Sequence, residues 1–252
     1  MVDSPRPVML ITGASRGIGA AAAVQAATAG YDLCLGYRSD HESMRSVADD
    51  AEAAGARVVT VAGDIATEAT VIDLFSAARD TFGRLDSVVI NAGVVAPIDR
   101  VENFTVERLR SVFETNVIGA FLCAREAVRA MSTKRGGSGG TIVVVSSAAS
   151  YLGSPDEFVD YAASKGATDT LTIGLAKEVA NEGIRVNAVR PGLIDTDIHA
   201  SAGRPDRVAA LAPNIPMQRG GTADEVADVI MWLASERSTY VTGALVNASG
   251  GR

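Results

Sequence analysis

"VMLITGASRGIG" (Val8–Gly19) joins a short apolar run to a glycine-rich turn and the start of an Ala-rich segment. Val8–Thr12 reads as a strand covered on both faces, and the segment from Gly17 to about residue 29 reads as a helix. Gly13, Gly17 and Gly19 have the spacing G-x-x-x-G-x-G. Glycine permits positive φ and close backbone approach, while the following helix offers free N–H groups and the positive end of its dipole. Strand, turn and helix in this order predict a pyrophosphate cradle.

The pattern repeats outward. Tyr31–Tyr37, Arg57–Gly63, Ser87–Asn91, Thr141–Ser147, Ile184–Pro191 and Gly243–Gly250 read as further strands. Helices are expected over about 17–29, 41–54, 67–81, 105–131, 159–182 and 223–234. This alternation predicts an α/β fold: one doubly wound domain over 1–252, with a seven-stranded parallel sheet flanked by helices on both faces. Leu193–Gly221, holding Pro205, Pro213 and Pro216, is long for a connection and reads as a substrate loop.

Apolar residues make up 47% and charged residues 21%, and the net charge of −7 with scattered Lys and Arg argues against a nucleic-acid or anionic-membrane partner. No apolar run reaches signal-peptide or membrane-span length. Cys34 and Cys123 sit among apolar residues and read as buried free thiols. With no Cys/His ligand spacing, and His41 far from His199, no metal is expected, and the chain reads as cytoplasmic.

The end of the second predicted strand reads Gly36-Tyr37-Arg38-Ser39-Asp40. An NAD site of the common kind places an acid there for the ribose hydroxyls. Here Arg16 in the glycine turn and Arg38 suit a 2′-phosphate, which favours NADP, while Asp40 keeps NAD open. Further along, "YAASK" places Tyr161 and Lys165 four apart on one helix face, where a cation beside a phenol can stabilise the phenolate.

With "TGASRGIG", "INAG" (Ile90–Gly93) and "YAASK" in this order, the chain resembles the short-chain dehydrogenase/reductase family from about Val8 to Gly251. Asp64 in "GDIA", Asn116 in "ETNVIGAF", Ser147 in "VVVSSAAS", "RPGLIDT" (Arg190–Thr196) and "YVTGALVNASGG" extend the match. The resemblance implies a Rossmann-fold oxidoreductase moving a hydride between NAD(P) and a small carbonyl or alcohol. Tyr161 would be its acid/base, and Lys165 would lower the Tyr161 pKa and hold the nicotinamide ribose. Ser147 would position the substrate oxygen, and Asn116 would anchor a proton-relay water chain. Gly13, Ser15, Arg16, Gly17, Ile18 and Gly19 would form the phosphate turn, and Asp64 and Ile65 would meet the adenine. Asn91, Ala92 and Gly93 would line the cofactor floor, and Pro191, Gly192, Ile194 and Thr196 would pass the nicotinamide carboxamide.

There are departures from the family pattern. Ile90 precedes "NAG" where a second Asn is common, and Ser249 stands where an acid often precedes the final glycines. Ser147 to Tyr161 spans 14 positions, one longer than the family spacing, so Ser146 competes with Ser147 for the serine role. The extra residue is expected within Gly153–Asp160. Overall fit resembles the 3-oxoacyl-carrier-protein reductase and glucose dehydrogenase branch, in which a carrier partner would need a basic patch. Arg125 and Arg129 are candidates for that patch, or are simply solvated. The substrate loop mixes His199, Arg204, Asp206, Arg207, Asn214 and Met217 with small residues, which names no substrate. Helices around Asn116 and Tyr161 are apolar beyond one stripe, so a homodimer or homotetramer is expected. The alternatives are an NAD-preferring sugar or polyol dehydrogenase and a nucleotide sensor without turnover. A sensor would have no need of the full Ser/Tyr/Lys/Asn set.

Overall fold

The computed structural model describes residues 6–197, 203–204 and 206–252. His199 and Pro205, both named above as loop members, lie outside the described residues. The strands are β1 (Val8–Thr12), β2 (Asp32–Tyr37), β3 (Val58–Ala62), β4 (Ser87–Ile90), β5 (Gly140–Val145), β6 (Ile184–Pro191) and β7 (Leu245–Ala248). They form one 7-stranded parallel sheet in the order β3-β2-β1-β4-β5-β6-β7. The chain winds outward from β1 to β3, then returns to the other side of β1. The carboxyl ends of β1 and β4 therefore diverge into a crevice, where such sheets hold ligands.

The helices are α1 (Gly17–Thr28), α2 (His41–Ala53), α3 (Glu68–Phe82), α4 (Val106–Phe113), α5 (Ala120–Met131), α6 (Ala149–Leu152), α7 (Val159–Val179), α8 (Arg207–Leu211) and α9 (Ala223–Ala234). Successive strand residues point to opposite faces. Leu10, Val88, Ile142 and Val186 meet Leu74 of α3, Cys123 of α5 and Val179 of α7. Met9, Leu33, Val89 and Val143 meet the alanines of α1, Met44 of α2 and Ile230 of α9. Ile142 and Leu33 are fully buried, and cutting either back to Ala would cost about 2–5 kcal/mol. The inner face of α1 is built from Ala22, Ala23, Ala26 and Ala27, so the helix lies close against the sheet.

The helix expected over 105–131 is interrupted: a π-helical turn, Glu114–Gly119, separates α4 from α5. Such turns tend to occur at functional positions, and this one carries Asn116. The short α6 was not anticipated, and the last strand is shorter than expected. The long connection after β6 folds α8 within it, and Ile194 bridges Gly221 where it closes. Cys34 and Cys123 are free and fully buried, and burial pushes both thiols up to about 12. Among the described residues no helix is long and apolar enough to cross a membrane.

Candidate active site

A cavity of about 1100 Å³ follows the crevice from Arg38 and Asp40 at one end to Arg207 and Leu211 at the other. At its centre Gly13 (φ 65°) and Gly17 (φ 56°) take the left-handed backbone that only glycine adopts cheaply. Gly19 is helical, but a Cβ there would collide with the Gly13 carbonyl oxygen and come within 2.6 Å of Asn91 Nδ2. Asn91 Nδ2 donates to the carbonyls of Thr12 and Gly13, each at 2.9 Å. Thr12 Oγ1 in turn accepts from the backbone N–H of Asn91 and of Ala92, each at 3.0 Å. Asn91 thus braces the turn against β4. Thr12, which the sequence reading missed, completes the brace, and its only signal there was its place as the last residue before the turn.

The first turn of α1 has no side-chain cap and no acid, so its N–H donors face the cavity ready for an anion. Arg16 and Arg38 are exposed beside it. Asp40 lines the same end but is engaged elsewhere. It caps α2 by accepting from the Ser43 N–H at 3.1 Å. Its bonds to Ser43, aided by the Arg16 charge, hold its carboxyl below the usual range.

The chemistry at the other end is set by one register. The last residue of β5 and the next two each meet one residue of a single face of α7. Lys165 Nζ donates to the Val145 carbonyl at 2.8 Å. Ser146 Oγ donates to Asp169 at 2.7 Å. Ser147 stands beside the Tyr161 phenol, and its Oγ accepts from the Ala149 N–H at 3.1 Å. Residues 161, 165 and 169 stand four apart, one above another on the helix. Ser146 therefore turns into the protein, and Ser147 is the serine that meets the phenol.

Burial pushes the Tyr161 phenol above its ordinary value, and the nearby Ser147 hydroxyl draws it back only in part. The expected lowering by Lys165 is not the balance found here. The ammonium lies 5.7 Å from the Tyr161 ring centroid, tied to Val145, and burial lowers its own pKa to about 8 against the opposing pull of Asp169. Gly93 lets this group come close, since a Cβ there would stand 3.3 Å from Lys165 Nζ and 3.4 Å from Asn116 Oδ1. Asn116 is buried, donates to Val94 O and Ser164 Oγ, and accepts from Val94 N at 2.8 Å. Its side chain clamps the chain after β4 to α7.

The cofactor-binding residues expected from the resemblance line the cavity, apart from Gly19, which shapes the turn from beneath. Asp64 also accepts from the Ala66 N–H at 2.9 Å. On the substrate side, Arg207 of α8 grips both oxygens of Glu157 at 2.6 and 2.5 Å and lies 5.1 Å from the Phe158 ring centroid. Ser154 (φ 44°) and Asp156 (φ 62°) are non-glycine residues in the left-handed region, within the segment expected to hold the extra residue. Arg125 pairs with Glu68 and Glu126, and Arg129 pairs with Glu126. Neither offers an uncommitted cation to an acidic carrier.

A family model described as enoyl-(acyl carrier protein) reductase matches residues 13–252. The chain is 50% identical to the uncharacterized oxidoreductase YgfF of Escherichia coli, over 97% of this chain and 99% of that one. It is 37% identical to glucose 1-dehydrogenase of Gluconobacter oxydans, over 96% of this chain and 90% of that one. The crystal structure of a short-chain type dehydrogenase/reductase from Mycobacterium marinum superposes with TM-score 0.91 at 33% identity, covering 97% and 94% of the two chains. The chain belongs to the short-chain dehydrogenase/reductase family. It is an oxidoreductase with the Rossmann-type sheet of that family, whose members act on CH–OH and C=O groups with NAD(P).

Proposed function

We propose that this protein reduces a small-molecule carbonyl to an alcohol, or the reverse, with NADP(H) as hydride carrier and Tyr161 as acid/base. The register of β5 against α7 carries this reading, since it sets Ser147 beside the phenol and packs Lys165 one turn below it. The cradle fits a dinucleotide. Gly13 and Gly19 leave no room for a Cβ where backbone approach is needed, and the N–H donors of α1 face the same space. Bound there, the nicotinamide supplies or accepts the hydride.

The protein's own groups do the rest. Ser147 holds the substrate oxygen, and Tyr161, whose phenol burial pushes up, gives it a proton. Lys165 holds the ribose hydroxyls, and Asn116 anchors the water chain that restores the proton. Arg16 and Arg38 take the 2′-phosphate. The use of Asp40 as a helix cap supports this preference, because a capping carboxylate is less available to a ribose. A second reading, an NAD-preferring sugar or polyol dehydrogenase, draws on Asp40 at the cavity edge and on the glucose 1-dehydrogenase relative. We read the whole chain as one catalytic unit that assembles as a dimer or tetramer, in a cytoplasm where its two free thiols stay reduced.

The test follows NADPH and NADH absorbance over carbonyl, diketone, acyl-thioester and sugar panels, beside Tyr161→Phe. The expected result is NADPH-driven carbonyl reduction that falls at least about 10²-fold in the variant. Sugar oxidation with NAD as the leading activity would select the second reading. Unchanged turnover in Tyr161→Phe would remove the phenol from the mechanism.

A further inference from the structure

Asp169 is the member of the α7 face that the reading above leaves without a task. It is buried, at 6% exposure, one turn beyond Lys165. One carboxylate oxygen takes the Ser146 hydroxyl at 2.7 Å, and the same hydroxyl lies 3.2 Å from the Lys165 carbonyl. The other oxygen takes Nε and Nη2 of Arg190 from β6, at 3.0 and 2.7 Å. Arg190 is backed by the Tyr151 ring of α6, 5.3 Å from its guanidinium carbon. A carboxylate is seldom buried this deeply without a function or a compelling partner.

The geometry points to Asp169 as a positioning residue: through its charge it keeps Lys165 protonated, and Arg190 sets how much of that charge Lys165 feels. The inference rests on the assignment of Lys165 to the reaction. Asp169 is the charge that opposes the loss of the Lys165 proton to burial. The other titratable and charged groups against α7 are placed differently. Tyr161 lies one turn before Lys165 and is neutral while it holds its proton. Arg108 of α4 is spent on Asp160 in the first turn, at 2.7 Å. Ser146 and Ser147 present only hydroxyls from the end of β5, and Tyr151 of α6 meets Arg190 rather than Lys165.

The two partners act with opposite sign. Removing the Asp169 charge withdraws support from the ammonium, so Lys165 loses its proton at lower pH. Removing Arg190 leaves the Asp169 charge unshared, so Lys165 keeps its proton to higher pH. Damage to packing would slow the enzyme in both variants but would not move one group in opposite directions.

The chain has three lysines, Lys134, Lys165 and Lys177, so 15Nζ-lysine labelling resolves the group directly. The full-length protein is titrated by NMR as wild type, Asp169→Asn and Arg190→Met, with Lys165→Met to assign the signal. The same proteins give the pH profile of kcat/KM for carbonyl reduction. The Lys165 midpoint, and the alkaline limb with it, is expected to fall by roughly one pH unit in Asp169→Asn and to rise in Arg190→Met. A midpoint unchanged in Asp169→Asn, or shifted the same way in both variants, would overturn the inference. If either variant fails to fold, the other still decides by its sign. The titration is independent of turnover. Opposed midpoint shifts beside an unmoved pH profile would mean that Lys165 is not the catalytic group, which is failure of the earlier reading alone.

Discussion

Ser146 and Ser147 are neighbours in the chain, yet the Ser146 hydroxyl bonds buried Asp169 while Ser147 stands beside the Tyr161 phenol. Their substitution should therefore fail in different ways. Ser147→Ala is expected to lower kcat about 10²-fold or more with the melting temperature nearly unchanged. Ser146→Ala leaves a buried carboxylate oxygen short of a donor, so it should cost about 1–3 kcal/mol in denaturant melts. Most of its turnover at neutral pH should survive. Equal losses of activity in both would contradict the division of labour.

Arg16 and Arg38 stand exposed at one end of the cavity, beside Asp40, which is engaged as the cap of α2. Arg38→Ala should raise the KM for NADPH about tenfold or more, as expected for a charge-assisted contact, and leave the KM for NADH nearly unchanged. Steady-state kinetics with both cofactors reads this directly.

Lys165 is held at a cost, and the cost has a pH window. Its pKa falls from 10.5 in the unfolded chain to about 8 when buried, so folding penalises the charged form. The penalty is complete below pH 8 and vanishes as pH rises toward 10.5. Lys165→Met removes it but strands the Val145 carbonyl. The cofactor-free variant should thus gain roughly 2 kcal/mol at neutral pH while losing turnover. Denaturant melts at neutral pH and above pH 10 should show the gain and then its disappearance.

Apolar side chains remain uncovered on helical elements that lie together. Val106, Leu109, Phe113, Ile118 and Phe121 are exposed along α4, the π-helical turn and α5, as are Val159 and Ile173 on α7. Light scattering at micromolar concentration should give a dimer or tetramer, and Phe121→Asp with Ile118→Asp should shift it toward the monomer. A wild-type monomer would leave this surface unexplained.

The sheet was legible because its signals are local. Apolar runs between helical segments, and glycines where the backbone turns left-handed, each carry their meaning within a few residues. The cavity lining was legible where position follows from local sequence, as with the glycines of the turn and the shared helix face of Tyr161 and Lys165. The site was less legible where the role depends on a distant partner. Nothing around Asp169 announces that Arg190 and Ser146 will converge on it. Nothing in "ETNVIGAF" marks the π-helical turn, or that its Asn116 will bond Val94 across 22 residues. The upward push of burial on the Tyr161 phenol is hidden for the same reason, because desolvation belongs to the assembled core rather than to the Tyr–Lys spacing.

The bond between Arg207 and Glu157 joins two surface segments, the loop after β6 and the stretch between α6 and α7. Neither belongs to the sheet, and neither supplies the groups that handle the proton. On the proposed function, redrawing this seam changes one end of the cavity and leaves Ser147, Tyr161 and Lys165 where they are.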